Sequence, residues 1–265
     1  MIRNDIVRNM KAMIFAAGLG TRLKPITDTL PKALVPVCGK PLIEHVARKL
    51  KSSGVDEAVV NVHHFADLIE DWAAGQDIMP VRISDERERL LETGGGILHA
   101  RPFLEGCGRF LIHNVDIISD IDIRWFASRM TGNAMASLLV SDRKTSRYLL
   151  FDPKTMRLAG WTNVSTGEVR SPYPDLDVSE CRCLAFSGIH MMSDGIFPVL
   201  EEYARKEGLY ETTGAPRFPI MDFYLSICAE HEIYGVETVG TDIVDVGKLD
   251  TLELAEVAVL RHCNH

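Results

Sequence analysis

The sequence has no apolar run of the roughly 18 residues that a membrane-spanning helix requires. Its first ten residues, MIRNDIVRNM, contain no apolar signal core. Its six cysteines form no CxxC pair, which argues against a zinc site or a disulfide framework and favours reduced thiols. Basic residues are in the minority, with 29 Lys and Arg against 37 Asp and Glu, so a general nucleic-acid or anionic-membrane binder is disfavoured. We therefore expect a cytoplasmic protein, monomer or homodimer, that acts on small molecules.

Strand and helix patterns alternate through the first half of the chain. Apolar strand patterns occur at 11–16, 56–64, 80–84 and 109–116, with helical patterns between them at 41–54, 66–75 and 95–104. Such alternation is typical of a mostly parallel sheet covered on both faces. The second half mixes strands and helices less regularly. We expect a Rossmann-like α/β fold with a mostly parallel, mixed sheet flanked by helices. A single domain over 1–265 would comprise lobes at 11–118 and 119–247 and a closing helix at 248–263.

The segment GLGTR (18–22) directly follows the first strand pattern. Ligands of open α/β sheets bind beyond the carboxyl ends of the strands, and glycines there let backbone N–H groups face an anion. The dinucleotide pattern GxGxxG fails, because its last position is Leu23 and Lys24-Pro25 follows. The P-loop pattern GxxxxGK[ST] is also absent. The motif alone leaves two interpretations open, a phosphate-binding loop of another kind and an ordinary tight turn.

The residues between Gly20 and Lys40 carry a local positive charge. Four basic residues oppose a single acidic one, although the chain as a whole has a net charge of −8. Three prolines stiffen this long connection, and long connections in compact domains are usually functional. A stiff, basic, glycine-led loop suits a polyphosphate ligand.

Here the sequence resembles the sugar-1-phosphate nucleotidyltransferases. The stretch AAGLGTRLKPITDTLPKALVPVCGKPLIEHV (16–46) is similar to their signature. The resemblance continues through LLETGGGI (90–97), HNVDII (113–118), FSGIHMMSDGIFP (186–198), FPIMDFYL (218–225) and VDVGKLDTL (244–252). It implies the nucleotide-diphospho-sugar transferase fold, with a nucleotide-binding first lobe and a sugar-binding second lobe. Members that act on N-acetylmuramate-1-phosphate or mannose-1-phosphate are the most similar.

The resemblance assigns roles to individual residues. It implies Arg22 and Lys32 as the catalytic cations on the reacting phosphates. It implies that Asp116 and Asp245 hold Mg²⁺. The implied nucleotide-binding residues are Ala17, Gly18, Leu19, Gly20, Thr21, Glu92, Thr93, Gly94 and Gly95, and the implied sugar-binding residues are Asn114 and Gly188. Asp120 and Asp122 are interpreted as caps of the following helix.

The implied reaction converts an NTP and a sugar-1-phosphate into an NDP-sugar and pyrophosphate. UTP is the favoured nucleotide and GTP the next, with an amino-sugar-1-phosphate such as N-acetylmuramate-1-phosphate as acceptor. The alternatives are mannose-1-phosphate guanylyl transfer, cytidylyl transfer to another phosphorylated acceptor, and a non-catalytic nucleotide-sugar-binding regulator. A Rossmann dehydrogenase is disfavoured by the failed GxGxxG.

Two departures from the family pattern concern the acceptor side and the metal motif. Val115 precedes Asp116, where the family usually has glycine. The Glu-Lys-Pro tripeptide of many relatives, whose lysine binds the sugar phosphate, is absent. Lys144, Arg147 or a residue near Trp161 is the expected substitute.

Overall fold

The computed structural model describes residues 10–210 and 214–262. The strands are β1 (Met10–Phe15), β2 (Pro36–Val37), β3 (Lys40–Pro41), β4 (Val55–Val62), β5 (Val81–Asp85), β6 (Arg109–Asn114), β7 (Ile117–Ser119), β8 (Ala136–Ser141), β9 (Arg147–Phe151), β10 (Leu158–Asn163), β11 (Glu168–Arg170), β12 (Arg182–Ser193), β13 (Ile233–Glu237) and β14 (Ile243–Asp245). The α-helices are α1 (Leu42–Ser52), α2 (Ala66–Gly75), α3 (Glu92–His99), α4 (Arg101–Leu104), α5 (Ile123–Ser128), α6 (Ile196–Lys206), α7 (Ile220–Ile227) and α8 (Asp250–His262).

Ten strands of the described ranges form one sheet. Its main path runs β11-β10-β9-β12-β6-β1-β4-β5, while β8 pairs with β12 and β13 with β8. Strands β1, β4, β5 and β6 are mutually parallel, and β12 runs antiparallel to β6. The predicted mixed, mostly parallel Rossmann-like sheet is thereby confirmed. Because the sheet continues from β6 into β12, the division into two lobes stays a prediction.

The core covers both faces of this sheet. Along β1, Ala12 and Ile14 pack into one apolar cluster, whereas Met13 packs into the other. Alternation of this kind follows from the two-residue period of a strand. Helix α1 buries Leu42, Val46 and Leu50, which lie about one turn apart, in the first cluster. Helices α6 and α7 pack into the second cluster, so helices flank the sheet as expected.

The chain after β7 corrects one expectation from the sequence. Asp122 caps α5, since its side chain accepts hydrogen bonds from the backbone N–H groups of Arg124 and Trp125. Asp120 is not a cap: its carboxylate accepts from the backbone N–H of Asp242 at 2.9 Å. It therefore ties the start of β14 to the end of β7.

The closing helix α8 begins at Asp250, two residues later than predicted. Residue 263, the predicted end, lies outside the described residues. Within the described ranges, none of the helices combines the length and the apolar character needed to cross a bilayer.

Candidate active site

Three parallel strands end together at one edge of the sheet. The strand register places Phe15 of β1 beside Asn61 of β4 on one side and Asn114 of β6 on the other. The backbone N–H of Val115 donates to the Phe15 carbonyl at 3.2 Å. Segments that leave these strands, including the glycine loop and Asp116, must therefore start side by side.

The glycine loop folds back on itself instead of starting a helix. Three short 3-10 turns at 21–23, 26–28 and 32–34 occupy the connection, and α1 begins only at Leu42. Gly20 has φ +62°, and a Cβ there would lie 2.9 Å from Thr27 Cγ2 and 3.1 Å from Lys32 Cβ. The Thr27 hydroxyl donates to the Gly20 carbonyl at 2.8 Å. Glycine at position 20 thus lets the loop close over Lys32.

The two predicted metal-binding aspartates are neighbours. Strand β7, which follows Asp116, pairs with β14, whose last residue is Asp245. The backbone N–H of Val246 donates to the carbonyl of Asp116 at 2.8 Å. Burial raises the pKa of Asp245, the Asp116 carboxylate raises it further, and Lys32 and Arg22 oppose the shift. The structure brings these two carboxylates from distant parts of the sequence into one electrostatic unit.

Both predicted catalytic cations lie against these carboxylates. The Lys32 side chain is largely buried and forms an ion pair with Asp116. Arg22 lies over Gly247, where an added Cβ would be 2.9 Å from an Arg22 guanidinium nitrogen and 2.8 Å from Asp245 Oδ1. The absence of a side chain at position 247 therefore allows Arg22 to approach Asp245.

A cavity of about 540 Å³, which we call the loop cavity, opens among these groups. It includes the predicted nucleotide-binding residues with the exception of Gly94 and Gly95. Its lining comprises Phe15, Ala16, Ala17, Gly18, Leu19, Gly20, Thr21, Arg22, Lys32, Asn61, Leu90, Glu92, Thr93, Asn114, Val115, Asp116 and Gly247. The structure thus brings most of the residues assigned by the resemblance into one space.

Gly94 and Gly95, two of the predicted nucleotide-binding residues, are absent from that lining. A Cβ on Gly94 would lie 2.3 Å from the Phe218 ring, and one on Gly95 would lie 2.2 Å from the Pro216 carbonyl. Their backbone N–H groups donate to the Phe218 carbonyl at 2.8 and 3.2 Å. Close packing against this segment accounts for both glycines, and their contact with a nucleotide stays a prediction.

Glu92 starts α3 in a left-handed conformation, with φ +62°. Its carboxylate accepts from Arg217 at 2.8 Å, and Thr93 Oγ1 accepts from the Ile220 backbone N–H at 2.9 Å. The segment that leads into α7 therefore holds Glu92 and Thr93 in place at the loop cavity.

The two predicted sugar-binding residues contact each other. Gly188 has φ +74°, and a Cβ there would lie 2.9 Å from Asn114 Nδ2. Asn114 itself lines the loop cavity. Gly188 therefore leaves space for the Asn114 side chain at the end of β6.

Val115, the departure from the family pattern, is buried, and its side chain packs in the first apolar cluster. Asp116 retains its ion pair with Lys32. The valine therefore adds apolar packing beside the aspartate without separating it from Lys32.

A second space of about 870 Å³, which we call the arginine cavity, shares Arg22 and Gly247 with the loop cavity. Asp245 lines it together with four further basic residues, namely Arg143, Arg147, Arg170 and Lys248. Arg143 donates to the Phe186 carbonyl at 3.0 Å, and Arg170 pairs with Asp222 at 2.6 Å. The Arg147 guanidinium makes no hydrogen bond or ion pair within the described part of the chain. Of the three expected substitutes, Arg147 and Trp161 line this cavity.

Asn61 and Glu86 are site residues that the sequence reasoning missed. Asn61 interrupts the buried apolar run 58–62 of β4, and a polar residue at that place was the available signal. Glu86 lies in the charged stretch DERER, where it resembles an ordinary surface residue. Both side chains are buried beside the loop cavity.

Comparisons with known proteins give matches in sequence and in fold. Residues 11–148 match the model of a family described as nucleotidyl transferase. Over 111 residues the chain is 50% identical to N-acetylmuramate alpha-1-phosphate uridylyltransferase of Caulobacter vibrioides, covering 40% of this chain and 46% of that protein. The protein of the same name from Neisseria meningitidis serogroup B is 46% identical over 115 residues, covering 43% of this chain and 49% of that protein. The matches span about half the length of these relatives.

The fold is similar to that of HddC from Yersinia pseudotuberculosis, solved in complex with GMP-PN. The TM-score is 0.70 at 19% identity, and the likeness covers 94% of this chain and 99% of that one. At this identity the likeness concerns the fold, and it confirms the predicted architecture.

Proposed function

The chain belongs to the nucleotidyl transferase family, and we propose that it transfers the nucleotidyl group of an NTP to a sugar-1-phosphate. The observation that carries the proposal is the convergence of two cations and two carboxylates beside a glycine loop. Lys32 pairs with Asp116, and Arg22 approaches Asp245, where the loop cavity meets the arginine cavity. An NTP in the first cavity and a sugar phosphate in the second would meet at these groups.

The proposed reaction needs positioning and charge stabilisation more than proton transfer. An oxygen of the sugar phosphate, already ionised at neutral pH, forms a bond to the α-phosphorus of the NTP. The bond from the α-phosphorus to the bridging oxygen breaks, and that oxygen leaves with the pyrophosphate. Arg22 faces the departing pyrophosphate, and Lys32 contacts the reacting phosphates. Both cations stabilise the charge that develops on these oxygens.

The residues present fit a Mg²⁺ ion. Asp116 and Asp245 offer carboxylate oxygens, and burial together with the neighbouring Asp116 carboxylate raises the pKa of Asp245. Within the described ranges, no cluster of three or more His, Cys, Asp or Glu could hold a metal alone. Mg²⁺ characteristically takes one or two carboxylates and completes its shell with phosphate oxygens and water. When bound, it would neutralise phosphate charge and polarise the reacting phosphoryl group.

For the substrates, we propose UTP and N-acetylmuramate-1-phosphate, with GTP and mannose-1-phosphate as the next pair. The names of the two relatives support the first pair. The arginine cavity supports it independently, because N-acetylmuramate carries a carboxylate in addition to the phosphate. Arg147 has no partner within the described ranges, so it is available for that second anionic group.

The decisive test incubates the protein with Mg²⁺, each NTP and a panel of sugar-1-phosphates, and measures pyrophosphate. We expect the fastest release with UTP and N-acetylmuramate-1-phosphate. No release with any pair would refute nucleotidyl transfer to a sugar phosphate. An equal rate of pyrophosphate release with N-acetylglucosamine-1-phosphate would refute only the proposed choice of acceptor.

A further inference from the structure

Two buried polar side chains form hydrogen bonds that link the glycine loop to the start of α3. Asn61 and Glu86 are each 3% exposed. Asn61 Oδ1 accepts from the backbone N–H groups of Ala16 and Ala17 at 2.8 and 3.4 Å, and Asn61 Nδ2 donates to Glu86 Oε1 at 2.8 Å. Glu86 Oε2 accepts from the backbone N–H of Leu91 at 3.1 Å. A continuous chain of hydrogen bonds thus runs from the glycine loop to the start of α3.

This chain of hydrogen bonds has a fixed donor-to-acceptor direction. Backbone N–H donors stand at both ends, and they cannot exchange roles with an acceptor. Asn61 must therefore turn its oxygen toward Ala16 and its nitrogen toward Glu86. Glu86 accepts at both oxygens, as an ionised carboxylate does. A glutamine would set a donor against a donor at one of the two contacts.

The residues held by this chain of hydrogen bonds are parts of the candidate nucleotide site. Ala16, Ala17 and Asn61 line the loop cavity, and so do Glu92 and Thr93 at the start of α3.

Helix α3 rests directly on the carboxylate. A Cβ on Gly96 would lie 2.8 Å from Glu86 Oε1 and 3.3 Å from Asn61 Nδ2. A shift of the Glu86 side chain would therefore displace α3 or the glycine loop.

We propose that Glu86 is a positioning residue that fixes the separation between the phosphate-binding loop and the start of α3. The two segments then engage the phosphates and the nucleoside of one NTP simultaneously. The inference rests on the proposed function of the loop cavity. It assigns a role in nucleotide affinity to a residue that does not reach the nucleotide.

The test exploits the polarity of the chain. In Glu86→Gln, one contact becomes donor against donor, and in Asn61→Asp, two carboxylates face each other. The double variant Asn61→Asp/Glu86→Gln exchanges the two groups. The carboxylate at position 61 then accepts from Ala16 and from the new amide, whose oxygen accepts from Leu91. The double variant restores every donor–acceptor pair.

The readouts are the UTP dissociation constant by calorimetry, the KM for the sugar-1-phosphate, and the thermal unfolding midpoint of the full chain. We expect each single variant to weaken UTP binding by about tenfold or more. The acceptor KM should stay within about twofold, and the double variant should bind UTP within about threefold of wild type. Glu57→Gln, in the same strand as Asn61 but at its other end, is the matched control and should leave UTP binding unchanged.

Single variants that bind UTP as wild type does would overturn the inference, as would a double variant no better than the singles. Should the single variants not fold, the double variant alone decides. A folded double variant with near-wild-type UTP affinity supports the role, and one that binds UTP more than about tenfold more weakly overturns it. A wild-type protein that binds none of the NTPs would refute the proposed function as well.

Discussion

Substitution of Gly20 tests whether the glycine loop positions Lys32. Gly20 has φ +62°, a conformation that costs a residue with a Cβ about 1–2 kcal/mol. In Gly20→Ala the new Cβ would lie 2.9 Å from Thr27 Cγ2 and 3.1 Å from Lys32 Cβ. Ordinary carbon contacts are about 3.5–4.0 Å, so the 27–32 segment must shift by several tenths of an ångström or more.

The shift affects the cation that contacts the reacting phosphates. Lys32 is nearly buried and is held by its ion pair with Asp116, so it has little freedom to compensate. Misplacement of a positioning group by about 1 Å can lower the rate by about 10²-fold. We expect Gly20→Ala to lose about 10²-fold in kcat/KM for pyrophosphate release. Its free energy of unfolding, measured in urea, should fall by about 1–2 kcal/mol.

Gly39→Ala is the matched control. Gly39 has φ +75°, and a Cβ there would meet no atom within 4 Å. The control therefore carries the same kind of backbone strain without contact to Lys32. We expect a similar loss of stability with near-wild-type kcat/KM. Equal activity losses in the two variants, or full activity in Gly20→Ala, would refute the reasoning.

Three further predictions address the carboxylates, the acceptor and the effect of pH. Asp116→Asn and Asp245→Asn should each remove most pyrophosphate release. EDTA should do the same to the wild type, and excess Mg²⁺ should restore the activity. Activity that survives EDTA would contradict the metal assignment. Arg147→Gln should raise the KM for N-acetylmuramate-1-phosphate about tenfold but leave that for N-acetylglucosamine-1-phosphate unchanged, and equal shifts would contradict the carboxylate contact. Burial raises the pKa of Glu86 above its ordinary value of 4.5, against the opposing effects of Asn61, the Leu91 N–H, His99 and His63. The wild type should therefore lose stability relative to Glu86→Gln as the pH rises from about 4.5 through the raised pKa of Glu86. Over the same pH range, the UTP affinity of the wild type should increase. A stability difference between the two proteins that does not change with pH in urea titrations would contradict the raised pKa.

The elements that the sequence predicts well are those with strong local patterns. The apolar runs of β1, β4 and β6 and the helical face of α1 are local, and so is the glycine loop with its interrupting Lys24-Pro25. The carboxyl-end rule then places the loop and Asp116 at one edge of the sheet. The order of the strands follows from pairing between distant segments, as between β12 and β6, and periodicity carries no information about it.

The residues missed or misread by sequence reasoning are those whose roles depend on such distant pairing. Glu86 acquires its role only because β5 lies beside β4, which brings its carboxylate to Asn61. Gly94 shows a related limit. The sequence does not reveal that its missing side chain leaves space for Phe218, and its contact with a nucleotide stays a prediction.

The charges of the site suit the polyphosphate substrate that the proposed function requires, although the chain as a whole is acidic. Asp116 is paired with Lys32, and Asp245 lies beside Arg22, so these four groups are neutral together and need no solvent ion. In the proposed reaction, the phosphates of an NTP would contact the two cations while a divalent ion contacts the two carboxylates. The Lys32–Asp116 ion pair would thus be exchanged for two new ones, and no charge would be left buried alone. A cation or a carboxylate removed singly leaves its partner unmatched both before and after the substrate binds. Loss of both members of one pair should therefore weaken the fold less than loss of one, although neither variant would be active.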